Sequence, residues 1–234
     1  MPSPSRPLAV AVLSLLVATM AWSAGAAAVV TATFDDLPTP PAVDGATGLQ
    51  VTNNNSLIYA GVTWDAHFTV VGDQYRVNPL TNPPPNPQFG IPQSGHFFVT
   101  NQDGQSGQVI TTAKVLTGAW FGRNQYYGFS EGGADQVTIV ALAGAQELLA
   151  LNFALPDTHP GEPEPLSFFD TAAFASLDGV TGYRIDRREL GEQAGHWVAD
   201  DFAFSDTTAV PLPGPLGLVC GGLAALGWRW RRRG

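Results

Sequence analysis

Short runs of β-branched and aromatic residues recur through the middle of the chain, and turn-forming residues separate them. Such side chains fit the pleated, half-buried surface of a sheet, and glycine, proline and asparagine end strands. With about ten such runs and no long helical segment, the pattern predicts an all-β chain folded as a single jelly-roll-like β-sandwich. The predicted strands are 29–34, 57–64, 96–100, 108–112, 117–121, 136–142, 183–186 and 196–204.

Segment 147–153 fits two structures, because its leucines suit a helix as well as a strand. It follows Ala143-Gly144-Ala145, and this position favours the return strand of a hairpin. Segments 78–87 and 156–165 are rich in proline, which supplies no N–H to a sheet. Both are therefore predicted to be loops.

The beginning of the chain has the order of a secretory signal peptide. Arg6 precedes an apolar run at 8–17, and small residues follow at 24–28. We expect residues 1–28 to be a signal peptide, cleaved after Ala26 or Ala28, and residues 29–206 to form the folded domain. A retained membrane anchor is the alternative reading of the same run.

The end of the chain combines a proline-rich segment, an apolar run and arginines. The apolar run, 216–230, would span about 22 Å as a helix, which is short of a hydrocarbon core of roughly 30 Å. It is long enough to cross a thinned bilayer, with the arginines held on the cytoplasmic side. We therefore predict a transmembrane helix here, with a buried terminal helix as the alternative.

This three-part end resembles the C-terminal sorting signal of PEP-CTERM proteins, in a variant with Leu212 where glutamate usually stands. The resemblance implies export in a Gram-negative bacterium, anchoring of the precursor in the inner membrane, and processing by an exosortase. It also implies a setting of biofilm and exopolysaccharide production, and it assigns 207–234 to the sorting signal. The residues that carry it are Val210, Pro211, Leu212, Pro213, Arg231, Arg232 and Arg233.

Charge is unevenly distributed along the chain. Five of the 11 Lys and Arg residues lie in the two end segments, so the middle holds six cations against all 20 acids, a formal net charge of −14. This charge argues against nucleic acid or anionic lipid as a partner, and it suits solubility outside the cell or cation binding. The one cysteine, Cys220, lies in the tail, so no disulfide can form within the domain.

Two acidic pairs frame the predicted domain. Asp35 and Asp36 follow Phe34, and Asp200 and Asp201 precede Phe202. If the first and last strands pair antiparallel, alternation places Asp36 and Asp200 close together, each on the face of its apolar neighbours. Nearby carboxylates suit a structural calcium ion, which takes 6–8 oxygen ligands.

The predicted calcium ligands are therefore Asp36 and Asp200, with Asp35 and Asp201 as less favoured candidates. The alternative is that these acids are solvated, or are paired with Arg184 or Arg187. The Phe-Asp-Asp and Asp-Asp-Phe frame is also similar to other exported PEP-CTERM domains, which is a weaker resemblance than that of the tail.

A glycan site is predicted where aromatic and polar donor groups alternate, at Trp120, Arg123, Tyr126 and Tyr127. Ring stacking and planar hydrogen bonding are means by which protein sites hold sugars. Alternation also requires about half of the aromatics in this segment to face the core. Core packing is therefore the competing interpretation.

Catalysis has little support in the sequence. His67, His96, His159 and His196 lack metal-ligand spacing, and no nucleophile-elbow or zinc-protease motif occurs. Glu162 and Glu164 lie in a proline-rich loop, which lacks the rigid carboxylate separation that glycosidases need.

The sequence thus predicts an exported, exosortase-processed cell-surface or biofilm-matrix protein that is not an enzyme and binds exopolysaccharide. One rival is a secreted glycan-degrading hydrolase, which would need Asp170, Asp178 and Glu164 in one cleft. The other is a purely structural envelope protein without a ligand.

Overall fold

The structure is a computed structural model that describes residues 28–48, 56–76, 89–101, 104–124, 133–158, 164–188 and 195–206. The predicted signal peptide, apart from Ala28, lies outside these residues, as does the whole predicted sorting signal with its apolar segment 216–230. The predicted loop 78–87 also falls outside them. Within the described part of the chain, no helix has the length and apolar character needed to span a membrane.

The described chain is all-β, as predicted. It forms thirteen strands, and a short 3-10 helix at Ala172–Ser176 lies between β11 and β12. The first seven strands are β1 (Val29–Ala32), β2 (Ala46–Gly48), β3 (Ser56–Tyr59), β4 (Val62–Asp65), β5 (Phe68–Gly72), β6 (Phe97–Asn101) and β7 (Gln108–Thr111). The other six are β8 (Val115–Arg123), β9 (Gln136–Ala143), β10 (Gln146–Ala154), β11 (Ser167–Asp170), β12 (Gly182–Arg187) and β13 (Trp197–Ser205).

The strands form two antiparallel sheets. The seven-stranded sheet has the order β11-β8-β13-β6-β5-β2, with β1 also paired to β13. The six-stranded sheet has the order β10-β9-β12-β7-β4-β3. The two sheets enclose one main hydrophobic core, an arrangement consistent with a β-sandwich.

Trp64 on β4 lies at the centre of this core. Its ring centroid is 5.1 Å from those of Phe34, Phe68 and Phe202, and 6.2 Å from that of Phe204, all in edge-to-face geometry. Since Trp64 belongs to one sheet and its partners belong to or follow strands of the other, these contacts hold the sheets together. Edge-to-face pairs add about 0.5–1.5 kcal/mol each beyond the burial of their area.

Two segments with uncertain strand boundaries have defined structures. Segment 147–153 is the return strand of a hairpin, because β10 pairs with β9 from Gln146 opposite Ala143. The predicted single strand 57–64 is wrong, because a two-residue turn divides it into β3 and β4. Ala60 and Gly61 have φ of 53° and 72°, the left-handed pair that such a hairpin turn requires.

The last strand, β13, connects most of the seven-stranded sheet. One edge pairs with β8 along its length, and the other edge is divided between β6, at Val198 and Ala199, and β1, from Phe202 to Ser205. The antiparallel pairing of β1 with β13, which the sequence argument took as a condition, is present in the structure. Asp200 and Asp201 lie where β6 ends and β1 begins along this edge.

Candidate functional site

The outer face of the seven-stranded sheet, the face turned away from the main core, carries an aromatic pair. Trp120 on β8 and Phe168 on β11 are cross-strand partners, and their ring centroids lie 5.5 Å apart. Phe168 is 51% exposed and Trp120 is half-buried. Trp120, a predicted glycan-binding residue, thus lies at the surface next to an exposed ring that the sequence analysis did not select.

Gly118 gives Phe168 its place on the sheet. A Cβ atom at Gly118 would overlap the Phe168 ring, so the ring lies directly against the glycine backbone. On the other side of Trp120, a second apolar cluster covers part of the same face. Its members are Val71, Phe89, Phe98, Leu166 and Val198. The aromatic pair is therefore the exposed margin of a packed surface.

The other predicted glycan-binding residues are placed less favourably or lie outside the described chain. The Arg123 guanidinium lies 3.2 Å from the Asp157 carboxylate, and its side chain is only 12% exposed. Its ion pair with Asp157 fixes the end of β8 to the segment after β10. Tyr126 and Tyr127 fall outside the described residues.

The acidic pairs at the two ends of the domain meet a common loop, residues 93–96. Asp200 Oδ2 accepts the backbone N–H groups of Gln93 and Ser94, at 2.9 and 3.0 Å. Asp201 Oδ1 accepts the Ser94 hydroxyl at 2.8 Å, and Asp35 Oδ1 accepts the His96 N–H at 2.7 Å. Three of the four predicted calcium ligands therefore anchor this loop in the structure.

Asp36 has a different partner. Its Oδ1 accepts the Tyr59 hydroxyl at 2.5 Å, and the Tyr59 oxygen in turn accepts the Phe34 N–H at 2.9 Å. Burial, reinforced by the hydrogen bond to Asp36, raises the pKa of Tyr59 to about 12. Asp36 thus joins the end of β1 to β3, while Asp200 binds the 93–96 loop.

The predicted assignment of β13 side chains to faces of the sheet is wrong, because the strand contains a bulge. Alternation predicts Val198, Asp200 and Phe202 on one face. The pairing with β8 contains one extra residue on β13 between Asp200 and Ala203, where Asp201 takes a φ of 49°. As a result, Val198 belongs to the second apolar cluster, on the outer face of the seven-stranded sheet, whereas Phe202 lies in the main core between the sheets.

Asp200 is fully buried under the 93–96 loop. Besides the Gln93 and Ser94 groups, its Oδ1 accepts the backbone N–H of Asp201 at 2.7 Å. Burial raises the pKa of Asp200 to about 8, and the nearby Asp201 charge adds to this, whereas the three N–H donors oppose it. The carboxyl group is therefore a structural anchor of the 93–96 loop.

The alternative partners proposed for these acids are occupied elsewhere. Arg184 binds Glu147 at 2.6 Å and Asp186 at 2.8 Å, and the Arg187 Nε donates to the Gly104 carbonyl. Within the described ranges, no group of three or more His, Cys, Asp or Glu side chains is arranged to hold a metal ion. The calcium site stays a prediction, with its candidate carboxylates already engaged by N–H and O–H donors.

Of the three residues that the hydrolase alternative requires, Glu164 is buried, whereas Asp170 and Asp178 are exposed. Both Glu164 oxygens are bound by Thr158, through its N–H and through its hydroxyl at 2.7 Å. Asp170 Oδ1 accepts the Ala172 N–H at 2.8 Å. His159 and Glu162 lie outside the described residues.

Sequence reasoning missed the histidine of the anchored loop. His96 Nδ1 lies 2.8 Å from Asp73 Oδ2, and this hydrogen bond raises the His96 pKa, with a further contribution from the charge of Asp35. No fixed spacing relates Asp73 to His96, so the pair had no motif to reveal it.

No protein-family model matches the chain, and no curated protein matches its sequence. Among solved structures, the chain is similar to the K2 cleaved adhesin domain of Lys-gingipain, with a TM-score of 0.40 and 12% identity over 76% of this chain and 98% of that domain. It is also similar to the K3 cleaved adhesin domain of Lys-gingipain from Porphyromonas gingivalis w83, with a TM-score of 0.33 and 13% identity over 75% and 97% of the two chains. Likeness at this level assigns no function to the chain.

Proposed function

We propose that this chain is an exported, exosortase-processed protein of the cell surface or biofilm matrix, whose jelly-roll-like β-sandwich binds glycan without cleaving it. The order of signal peptide, domain and PEP-CTERM-like tail supports export and sorting in a Gram-negative bacterium. The precursor is held in the inner membrane by the tail and then released to the surface or matrix by the exosortase.

The arrangement of the domain ends supports this sorting model. Val29 pairs with Ser205, so the segment after the leader and the segment before the tail lie side by side at one end of the seven-stranded sheet. Ser205 pairs with Val115 on β8, and Trp120 lies five residues further along this strand. Trp120 is therefore roughly 17 Å from the end of the sheet at which the domain would be tethered.

The observation that carries the glycan-binding role is the exposed pair of Trp120 and Phe168. Binding sites for uncharged organic ligands combine aromatic surface with a few polar groups, and this face provides both. Glu164 is committed to Thr158, which opposes the hydrolase alternative.

Native affinity electrophoresis of the full chain in gels that contain a polysaccharide tests this role. Retardation without release of reducing ends supports a non-enzymatic binding protein. Release of reducing ends during incubation supports the hydrolase, and neither effect with any polymer supports the purely structural envelope protein.

The sorting model has its own test. The chain is expressed in a Gram-negative host with and without an exosortase, and the C-terminus of the exported product is measured by mass spectrometry. Loss of the segment after Pro213 only in the exosortase-bearing host is expected. An identical C-terminus in both hosts contradicts the sorting model and leaves the glycan-binding test unaffected.

A further inference from the structure

We propose that Phe168, Trp120 and Asp170 form one binding subsite for a neutral, hydroxyl-rich polysaccharide. A sugar ring stacks on Phe168, its hydroxyl groups donate to Asp170, and the Trp120 indole N–H donates to a sugar oxygen. The inference rests on the proposed glycan-binding function and specifies the residues and the ligand class of that site.

Exposure distinguishes Phe168 from the other aromatic residues. It is the only Phe, Tyr or Trp side chain among the described residues that is exposed. Phe169, its neighbour on β11, faces the core and stacks on Phe121 and Phe153, so β11 divides its two rings between core and surface. The Phe168 ring therefore presents apolar surface on which a sugar face can stack.

The position of the ring is fixed before any ligand arrives. Phe168 lies against the backbone of Gly118 and 5.5 Å from the Trp120 ring, and both neighbours belong to a central strand of the sheet. Trp120 is in turn packed against the outer apolar cluster. A ring held in this way loses little conformational freedom on binding, which favours affinity.

Two polar groups flank the ring. Asp170 is two residues from Phe168 on the same exposed face of β11, a separation of about 7 Å. Its Oδ1 accepts the Ala172 N–H, which orients the carboxylate, and its Oδ2 accepts no hydrogen bond from the described residues. The Trp120 Nε1–H likewise donates to no described residue, and it is not among the buried unpaired polar atoms of the described chain. The site thus offers one acceptor and one donor beside the stacking surface.

Charge selects a neutral ligand. Asp170 places a carboxylate at the site, and the domain around it carries a formal charge of −14. Arg123, the cation of the predicted glycan site, is paired with Asp157. A uronate- or sulfate-bearing polymer would therefore be repelled, whereas the hydroxyl groups of a neutral sugar are suitable donors to the carboxylate.

The test uses the full chain in a polyoxyethylene detergent, because detergents with sugar headgroups would compete for the site. Native affinity electrophoresis is run against three neutral polymers, hydroxyethyl cellulose, galactomannan and dextran, and against anionic alginate. The variants are Phe168→Ala and Asp170→Asn. The matched controls are Ile58→Ala, an exposed apolar residue on the other sheet, and Asp178→Asn, an exposed acid away from β11.

We expect at least one neutral polymer, and not alginate, to retard the wild type. Phe168→Ala should abolish the retardation, and Asp170→Asn should weaken binding about tenfold, as loss of a hydrogen bond to a charged group does. Both controls should match the wild type, and circular dichroism should show that all four variants fold.

Three results would overturn the inference. Wild-type retardation that persists unchanged in Phe168→Ala and Asp170→Asn places the glycan elsewhere and leaves the proposed function intact. Retardation by alginate alone contradicts the neutral ligand class. Absence of retardation by every polymer contradicts both this inference and the proposed glycan-binding function.

Discussion

Asp200 and Trp120 lie directly opposite each other on β13 and β8, so a fully buried acid and a partly exposed aromatic are neighbours on the same face of the sheet. The 93–96 loop covers the acid, and Phe168 flanks the aromatic on its other side. The carboxyl group that the sequence suggested as a metal ligand therefore anchors the loop next to the proposed sugar-binding ring.

Burial of Asp200 predicts a pH-dependent stability. Its pKa is about 8 in the folded chain and about 3.9 when unfolded, so between these values the folded state holds one more proton. The free energy of unfolding should fall as pH rises from about 4 to about 8, by up to about 1.4 kcal/mol per pH unit. Urea denaturation across this range, with a chelator present, measures the slope.

Two variants separate the contributions to that slope. His96 has a raised pKa beside Asp73, so its stabilising protonated form is also lost as pH rises, and His96→Gln removes this part. Asp200→Asn should remove the larger part. A slope that survives unchanged in Asp200→Asn would contradict the assignment to that carboxyl group.

Replacement of Trp64 should lower the free energy of unfolding strongly, because this ring is at the centre of the core. Trp64→Ala removes ring contacts to four phenylalanines from the centre of the core, and we expect a loss of about 3–5 kcal/mol. Chemical denaturation measures it. Phe168→Ala serves as the comparison, because its ring is half exposed and should cost less than about 1.5 kcal/mol. Equal losses in the two variants would mean that Trp64 is not the central contact.

Substitutions of Asp201 should differ in their effect on stability, because the bulge requires a residue that tolerates a positive φ. Asp201→Asn keeps an acceptor for the Ser94 hydroxyl and tolerates the positive φ, so it should be nearly neutral. Asp201→Val loses the acceptor and strains the backbone, and it should cost about 2 kcal/mol or more. Thermal unfolding of the two variants tests this, and a valine variant as stable as the asparagine variant would argue against a left-handed residue at this position.

The predicted calcium site has a separate test. If the acidic pairs hold the ion, saturating calcium should raise the melting temperature of the wild type, and chelation should reverse the rise. Asp200→Asn and Asp36→Asn should both abolish the effect. Equal melting temperatures with calcium and with chelator would leave Asp200 as the anchor of the 93–96 loop and Asp36 as the partner of Tyr59.

Gly118→Ala should weaken glycan binding without removal of any proposed contact group. The added methyl group occupies the space of the Phe168 ring and displaces it from the sheet. Gly48→Ala on β2 is the control, since its Cβ would meet nothing within 4 Å. Affinity electrophoresis should show reduced retardation for the first variant and wild-type retardation for the second. Wild-type binding by Gly118→Ala would mean that the ring position is not critical.

Most strands could be predicted from the sequence, because alternation and β-branched runs report burial directly. The strands β2, β5 and β11 were not predicted, and β11 carries Phe168. The hairpin of β9 and β10 followed in the same way from Gly144 between two apolar runs. The faces of β13 could not be predicted, because the bulge depends on the conformation of Asp201 and on its partner strand. Nothing in Phe168-Phe169 alone indicates which ring faces solvent, since that depends on the register of β11 against β8.

The order of the strands along the chain constrains how this domain can form. β13 is the shared partner of β1, β6 and β8, and Val29 lies about 175 residues before its partner Ser205. Until the final strand is available, the first strand has no edge to join and the aromatic core has no Phe202 or Phe204. The domain must therefore close late, and a chain still being synthesised or threaded through a membrane would remain open until its last strand emerged.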